Sequence, residues 1–243
     1  MENPITTLRS LSFLTTPNYS DNLQTLLSLL NAATENSITV APEVCLTAYD
    51  YENFEAVLDF ALGAIEEIKK ASKNKTVILT IIERRGEEVF NFAKVFYDGE
   101  VIYERAKARL FRFGDEHKYM SEGSDEEIQI IEVNGIKIAI FICFELRFKE
   151  LWQMSEGADV IAVPSWWGVL RTEHFKAFTQ TLAIMNQCYV VASDSLNEDC
   201  TKMSGIISPQ GEVQRNGNKP CLELEYKKKE ITLMRRYMDI GIK

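Results

Sequence analysis

Residues 136–148 read Ile-Lys-Ile-Ala-Ile-Phe-Ile-Cys-Phe-Glu-Leu-Arg-Phe. The first seven residues form an almost continuous apolar run, and Cys143 follows directly after it. Asn134-Gly135 precedes this run, and another apolar stretch, residues 128–133, comes before that pair. Asn-Gly between two such stretches predicts a tight hairpin, because both turn positions need a positive φ angle. Residues 136–142 therefore predict a strand that is buried on both faces, with Cys143 where the strand ends.

Helix and strand patterns alternate along the rest of the chain. Apolar residues at helical spacing predict a first helix capped by Asp21, a second over residues 57–68 and a later one from about Thr172. Asp98-Gly99 marks a second hairpin in the middle of the chain. This mixture predicts an α/β layered protein with one mixed sheet or two sheets. Because the sequence contains no linker or repeat, we expect one domain over residues 1–243.

The composition argues against several functional classes. The 243 residues carry 36 acidic and 27 basic side chains, a net charge of −9, which disfavours binding to nucleic acid. No apolar run approaches the roughly 20 residues that cross a membrane, and the start of the chain lacks a secretory pattern. Five irregularly spaced cysteines predict free thiols and a cytoplasmic location. Two histidines are too few for a multi-histidine metal site.

Cys143 is the candidate nucleophile, and a buried structural thiol is the alternative interpretation. A thiol that attacks an amide needs a base, donors for the developing oxyanion and a proton for the leaving group. The base is either a histidine, His117 or His174, or a buried carboxylate whose pKa is raised. Glu43 follows a short β-type run and Pro42, whereas Lys107 lies in the irregular segment 105–123; each alone is typical of a surface residue.

The order of these residues resembles that of the nitrilase superfamily of carbon–nitrogen hydrolases, whose triad is Glu-Lys-Cys. The resemblance rests on Pro42-Glu43, on Lys107 with Leu110-Phe111, and on the hexapeptide at 143–148. It extends over most of the chain and looks most like the ω-amidase and Nit-type branch. Two positions depart from the family pattern: Lys149 stands where proline is usual, and Met185 where glutamate is usual.

The resemblance implies a four-layer α-β-β-α sandwich in a single domain, paired into a homodimer or higher homo-oligomer, with no metal or cofactor. It implies that Cys143 is the nucleophile, Glu43 the general base and Lys107 the cation that stabilises the tetrahedral intermediate. Glu116 is implied to orient the lysine and the substrate amide. The expected reaction is hydrolysis of a small linear amide through a thioester, with release of ammonia or an amine.

Five further residues are candidates for binding the small-molecule substrate. The backbone N–H of Phe144 is the expected second oxyanion donor, and Trp166, Trp167 and Tyr119 are candidate pocket walls. Core packing is the alternative for the two tryptophans. Arg147 either binds a substrate carboxylate or, as we favour from the sequence, pairs with a nearby acid, because a partly buried guanidinium needs a partner.

Other functions stay open on the sequence. An N-carbamoyl hydrolase or a true nitrilase would use the same triad, and a Cys-His hydrolase would use His117 instead. A catalytically silent binding protein would keep the fold alone. The tail over residues 233–242, with its aromatic and basic side chains, is expected to reach a partner subunit.

Overall fold

The computed structural model describes residues 6–242, which form two six-stranded mixed sheets and five α-helices. The first sheet has the strand order β12-β1-β2-β3-β4-β5. Its strands are β1 (Thr7–Leu11), β2 (Ser37–Val40), β3 (Thr76–Arg85), β4 (Glu88–Tyr97), β5 (Glu100–Ala106) and β12 (Cys221–Glu225). None of the helices in this described range is long and apolar enough to cross a lipid bilayer.

The second sheet has the strand order β11-β10-β9-β8-β7-β6. Its strands are β6 (Ile131–Val133), β7 (Ile136–Ile140), β8 (Val160–Pro164), β9 (Tyr189–Ser193), β10 (Gly205–Ile207) and β11 (Val213–Arg215). The helices are α1 (Tyr19–Asn31), α2 (Phe54–Ala71), α3 (Lys149–Trp152), α4 (Thr172–Asn186) and α5 (Lys228–Tyr237).

The hairpin predicted at Asn134-Gly135 is confirmed. Val133 on β6 pairs with Ile136 on β7, and the two turn residues have φ angles of 50° and 73°. Positive φ at both positions matches the right-handed twist of the flanking strands, which is why this dipeptide is favoured there. The hairpin leaves β7 next to β8, and both faces of β7 lie in the core except at Lys137.

The strands run so that several of their carboxyl ends meet at one place. In the first sheet β1, β2 and β3 are parallel, and β5 has the same direction because it is antiparallel to β4, which is antiparallel to β3. In the second sheet β7, β8 and β9 are parallel. Residues that directly follow β2, β5, β7 and β8 therefore collect at the carboxyl edges of two packed sheets, where ligands of α/β proteins commonly bind.

The two sheets pack face to face, with helices on both outer faces. Apolar side chains of both sheets, among them Ile38, Val40, Ile138 and Ile140, form one buried cluster between the sheets. A second cluster joins α1 and α2 to the other face of the first sheet, and α4 covers the second sheet through Phe175 and Leu182. The four-layer α-β-β-α sandwich predicted from the sequence is thus confirmed.

Some predicted boundaries differ from those in the structure. The first helix is capped by Asn18, whose side chain accepts hydrogen bonds from the backbone of Ser20 and Asp21, so the predicted Asp21 cap is wrong. Residues Lys228–Tyr237 form helix α5, whose first turn contacts the rest of the same chain: Lys228 lies 2.6 Å from the buried Asp159, and Tyr189 donates to Glu230 at 2.6 Å. The expected contact of residues 233–242 with a partner subunit stays a prediction.

We expect opposite effects on stability from alanine at two glycines. A Cβ at Gly205, on β10, would collide with the carbonyl oxygen of Gln214 and lie 2.9 Å from Arg215 Cδ. Gly205→Ala should lower the free energy of unfolding by about 2–3 kcal/mol, as overpacking does. Gly63, exposed in α2, has no neighbouring atom within 4 Å of the position that an added methyl group would take. Gly63→Ala should raise the free energy of unfolding by about 0.5–1 kcal/mol.

Urea unfolding of both variants measures the two changes. Equal midpoints for Gly205→Ala and the wild type would contradict the close approach of β10 and β11 at this position.

Candidate active site

Cys143 sits on a sharp bend directly after the buried strand β7. Its φ angle is 43°, a left-handed conformation that costs a non-glycine residue of order 1–3 kcal/mol and that is enriched at functional sites as well as in turns. The bend opens a single turn of 3-10 helix, Cys143–Arg147. The Cys143 thiol donates to the carbonyl oxygen of Trp166 at 3.5 Å. Burial raises the pKa of the thiol well above its usual value, nearby Glu43 raises it further, and Lys107 opposes both.

Glu43 follows β2 and is completely buried. Its Oε1 accepts hydrogen bonds from Lys107 Nζ at 2.8 Å, Tyr49 Oη at 2.6 Å and Asn91 Nδ2 at 2.9 Å. Its Oε2 accepts from the backbone N–H of Trp166 at 3.0 Å. Four donors hold the carboxylate in one orientation, so the group is rigid although it lies far from water.

Lys107 follows β5 and is also completely buried. An ammonium group has three protons to donate. Lys107 Nζ lies 2.8 Å from Glu43 Oε1, 2.8 Å from Glu116 Oε1 and 3.2 Å from Tyr49 Oη. The remaining Glu116 oxygen accepts from the backbone N–H of Phe111 at 3.1 Å. The structure thus brings three predicted residues, Glu43, Lys107 and Glu116, into one buried cluster.

The cluster holds two carboxylates around one ammonium group, which sets its protonation. Burial alone would lower the pKa of Lys107, but the charges of Glu116 and Glu43 outweigh it and raise that pKa, so the lysine stays protonated. Burial raises the pKa of Glu43 and outweighs the opposing effect of Lys107, while Glu116 raises it further. A carboxylate with a raised pKa can accept a proton near neutral pH and return it.

Trp166 connects the nucleophile candidate to the carboxylate through its backbone. Its N–H donates to Glu43, and its carbonyl oxygen accepts from Cys143. The following residue is fixed in the same way: the N–H of Trp167 donates to Asp194 Oδ1 at 2.9 Å. Asp194 is buried, and burial raises its pKa to about 7 although Thr201 and the N–H of Trp167 lower it. Hydrogen bonds to Glu43 and Cys143 on one side and to Asp194 on the other therefore hold the loop that contains Trp166 and Trp167.

A second buried ion pair connects the Cys143 bend to the Lys107 segment. Arg105 Nη1 and Nη2 lie 2.8 Å and 2.5 Å from the two carboxylate oxygens of Glu145. The same oxygens accept the backbone N–H of Ala108 at 2.8 Å and that of Ile142 at 2.6 Å. Glu145 thus binds the residue after Lys107 and the residue before Cys143 at once. Charged hydrogen bonds of this geometry are among the strongest in proteins.

An open pocket lies directly above Cys143. It is lined by aromatic and basic residues: Phe111, Phe144, Arg147, Trp166, Trp167, Gly168 and Arg171. The Arg171 guanidinium lies 5.2 Å from the centre of the Phe111 ring, and a Cβ at Gly168 would occupy the space that this guanidinium fills. The pocket thus joins a buried thiol to two positive charges.

The structure places the predicted substrate-binding residues differently from one another. Phe144, Trp166, Trp167 and Arg147 line the pocket, and the Trp167 side chain also packs in the core. Tyr119 does not line it: its ring stacks on Tyr51 with centroids 4.1 Å apart.

Arg147 does not have the acidic partner that the sequence analysis favoured. Among residues 6–242, none of the observed ion pairs involves this arginine; its Nη2 lies 3.0 Å from His174 Nδ1 instead. The favoured interpretation of Arg147 was therefore wrong, because its guanidinium is held by an imidazole and by aromatic faces.

Several residues of the site were missed by the sequence analysis. Tyr49 and Asn91 both bind Glu43. A polar side chain inside the apolar run 89–93 was the available signal for Asn91, whereas nothing local marked Tyr49 or Arg171. His117 is exposed on the turn Glu116–Lys118. In the part of the chain that the structure describes, no group of three or more potential metal ligands is found.

Comparisons with known proteins agree with this geometry. The sequence model of the carbon-nitrogen hydrolase family matches residues 6–220. The 2-oxoglutaramate amidase of Bacillus subtilis (strain 168) is 31% identical over 194 residues, which cover 75% of this chain and 74% of that protein. The deaminated glutathione amidase of Escherichia coli O157:H7 is 27% identical over 212 residues, covering 82% and 81%.

The fold is shared with solved structures. Nit3 of Saccharomyces cerevisiae, a member of branch 10 of the nitrilase superfamily, superposes with a TM-score of 0.83 at 20% sequence identity. The superposition covers 99% of this chain and 98% of that one. A likeness at this identity shows that the two chains have the same fold.

The Glu145–Arg105 pair should be sensitive to loss of one partner. Glu145→Gln leaves the Arg105 guanidinium buried without a counter-charge, which should lower the free energy of unfolding by about 3–5 kcal/mol. Replacing both partners, as Arg105→Met with Glu145→Leu, should cost less, because no buried charge is left unpaired. Urea denaturation of the single and double variants measures the difference.

The control is the exposed pair Arg84–Glu55, at 2.6 Å. Glu55→Gln should change the free energy of unfolding by less than about 1 kcal/mol. A Glu145→Gln variant no less stable than Glu55→Gln would contradict the role given to the buried pair.

Proposed function

The chain belongs to the carbon–nitrogen hydrolase family, whose members cleave carbon–nitrogen bonds other than peptide bonds, and we propose that its substrate is an ω-amide of a small dicarboxylic acid. The enzyme removes the terminal amide as ammonia or an amine and releases the diacid. The reaction proceeds through a thioester on Cys143, with Glu43 and Lys107 completing a Glu-Lys-Cys triad.

One observation carries the substrate assignment: the pocket over Cys143 contains two arginines, Arg147 and Arg171. Within residues 6–242, neither takes part in any of the observed ion pairs with a carboxylate: Arg147 contacts His174, and Arg171 lies over the Phe111 ring. Guanidinium groups bind carboxylates in a planar, two-point geometry. A substrate with a carboxylate at one end and an amide at the other satisfies both the arginines and the thiol.

The relatives support the same substrate class. The names 2-oxoglutaramate amidase and deaminated glutathione amidase both describe enzymes that act on amides, and 2-oxoglutaramate is itself the amide of a dicarboxylic acid. A small linear molecule of this kind would lie in the pocket above Cys143. Aromatic walls from Phe111, Phe144 and Trp166 would enclose its apolar middle part.

Acylation begins with a neutral thiol, because burial raises the pKa of Cys143. The S–H proton points to the Trp166 carbonyl in the resting site and must turn toward Glu43 as the amide carbonyl approaches. Glu43 takes the proton while the sulfur attacks the carbonyl carbon. When the tetrahedral intermediate collapses, the carbon–nitrogen bond breaks and Glu43 returns the proton to the departing nitrogen. The products are a Cys143 thioester and ammonia or an amine.

Two donors stabilise the oxyanion of the tetrahedral intermediate. The backbone N–H of Phe144 lies in the first turn of a helix, where N–H groups lack an intrahelical acceptor. Lys107 supplies the second donor and a positive charge. Its contacts with Glu43 and Glu116 are short, whereas its contact with Tyr49 is 3.2 Å, so the proton directed at Tyr49 is the one that turns to the oxyanion.

Deacylation repeats the proton transfers with water as the nucleophile. Glu43 removes a proton from water as the oxygen attacks the thioester carbonyl, and the Cys143 sulfur leaves as its carbon–sulfur bond breaks. The proton held by Glu43 returns to the sulfur, which restores the neutral thiol. Glu116 keeps Lys107 in place in both halves of the reaction and can accept a hydrogen bond from the substrate amide.

We also propose that the enzyme is one domain over residues 1–243, that it works in the cytoplasm and that it assembles as a homodimer or higher homo-oligomer. The cysteines are free thiols, which a reducing compartment favours. Ile184 and Met185, at the end of α4, are 44% and 56% exposed, and an apolar surface of this kind is suited to a second copy of the chain.

Intact-mass spectrometry tests the proposed chemistry. Wild type, Cys143→Ala and His117→Ala would be mixed with 2-oxoglutaramate, glutaramate, pentanamide, a carbamoyl amine and a nitrile, with ammonia measured in parallel. We expect an acyl adduct on the wild type with the two acidic amides, and none on Cys143→Ala. His117→Ala should form the same adduct, because Glu43 and not His117 is the base.

Any other result of this experiment would support one of the alternative functions. Turnover of only the carbamoyl amine or the nitrile would replace the amidase assignment, and a folded wild type without adduct or ammonia would favour a silent binding protein. Loss of the adduct in His117→Ala would favour a Cys-His hydrolase.

The pH dependence tests Glu43 as the base. The active form has an ionised Glu43, and burial raises the pKa of this carboxyl. A raised pKa means that protonation begins at a higher pH on acidification, so the acid limb of kcat/KM should lie above about 4.3, the ordinary value for glutamate. A pH profile of kcat/KM from 4 to 9 measures this limb.

Glu126→Gln, which changes an exposed carboxylate, is the control and should leave the limb in place. An acid limb at or below the ordinary glutamate value would contradict the role of Glu43.

A further inference from the structure

The guanidinium of Arg147 is held at the pocket by three neighbours. Its Nη2 lies 3.0 Å from His174 Nδ1. Its central carbon lies 5.1 Å from the centre of the Trp167 ring and 5.5 Å from that of Phe178, distances that suit cation–π contacts. The two aromatic rings fix the plane on which the guanidinium rests, but a ring face does not define the direction in which the N–H groups point. The imidazole is the contact that can define it.

The position of Arg147 is electrostatically unfavourable without a ligand. Burial lowers the pKa of Arg147, and the neighbouring charge of Arg171 lowers it further. A guanidinium repelled by a second one would turn toward solvent unless a hydrogen-bond acceptor held it. Among the side chains of residues 6–242, His174 is the acceptor observed for Arg147.

The hydrogen bond between Arg147 and His174 determines which nitrogen of the imidazole carries the proton. Arginine has only donors, so Nδ1 of His174 must accept the hydrogen bond and the imidazole must carry its proton on Nε2. His174 is exposed in the first turn of α4, and its ring lies 6.2 Å from that of Phe178, which also contacts Arg147. The histidine therefore touches the arginine from outside the pocket and does not line it.

We propose that His174 is a positioning residue that directs Arg147 at the carboxylate of an acidic amide and so determines the preference for acidic over neutral substrates. The inference rests on the proposed function, because it assumes that Arg147 and Arg171 bind a substrate carboxylate. The role of His174 is to hold the Arg147 guanidinium near Arg171, so that the two together meet the carboxylate without a reorientation of Arg147 when substrate arrives.

A matched pair of substrates tests this inference. Glutaramate and pentanamide have the same five-carbon amide chain, and glutaramate alone carries a carboxylate at the far end. In His174→Ala the ratio of kcat/KM for glutaramate to that for pentanamide should fall about tenfold, mainly through a higher KM for glutaramate. His174→Asn offers an amide oxygen where Nδ1 lies and should restore the ratio to within about twofold of the wild type.

Two further measurements exclude a merely structural effect. His117→Ala, which removes the other histidine, should leave the substrate ratio unchanged. In a Cys143→Ala background, where no turnover occurs, His174→Ala should weaken glutaramate binding about tenfold in titration calorimetry. Thermal midpoints of the variants establish that all are folded.

The outcomes separate this inference from the proposed function. If the kcat/KM of the wild type for pentanamide equals that for glutaramate, the acidic-substrate assignment fails and the inference fails with it. If the wild type prefers glutaramate but His174→Ala keeps that preference, or loses activity equally on both amides, or is not rescued by His174→Asn, the inference on His174 is overturned and the proposed function stands.

Discussion

The geometry of the site depends on the hydrogen bonds that the buried Glu145 carboxylate accepts. It lies without exposure to water between the two sheets' carboxyl edges, where it neutralises Arg105 and accepts the backbone N–H groups of Ala108 and Ile142. This one group fixes the Lys107 segment and the Cys143 bend relative to each other. The Lys107 segment follows β5 of the first sheet, and the Cys143 bend follows β7 of the second. Without it, packing between the sheets would define their spacing, but not the register of two loops at their edge.

A second constraint is the excess of negative charge around Lys107. Two carboxylates share one ammonium group, and Tyr49 and Asn91 supply neutral donors to Glu43. A second cation would favour the carboxylate so strongly that it could no longer accept a proton at neutral pH. The neutral donors hold the orientation of Glu43 and, as the Tyr49 hydrogen bond shows, offset only part of the effect of burial, so the pKa of this carboxyl stays above its usual value.

Much of the fold could be predicted from local patterns, whereas parts of the site could not. The Asn134-Gly135 hairpin and helices α2 and α4 follow from turn chemistry and apolar spacing, which act over a few residues. Glu43, Lys107 and Cys143 were found because their order resembles a family. Tyr49 and Asn91 bind Glu43 through contacts that only folding creates; Asn91 is 48 residues away from it. The partner of Arg147 was predicted wrongly because aromatic faces and an imidazole replace the expected acid.

The part played by Trp166 has a consequence for how such a site can change over evolutionary time. This residue joins Cys143 to Glu43 through its amide N–H and its carbonyl oxygen, atoms that every residue except proline possesses. Its indole, in contrast, forms part of the pocket wall. The contacts to Cys143 and Glu43 are thus made by the main chain, and the pocket wall by the side chain, at the same position. A lineage can therefore exchange the indole for another group and reshape the pocket while both main-chain contacts stay in place.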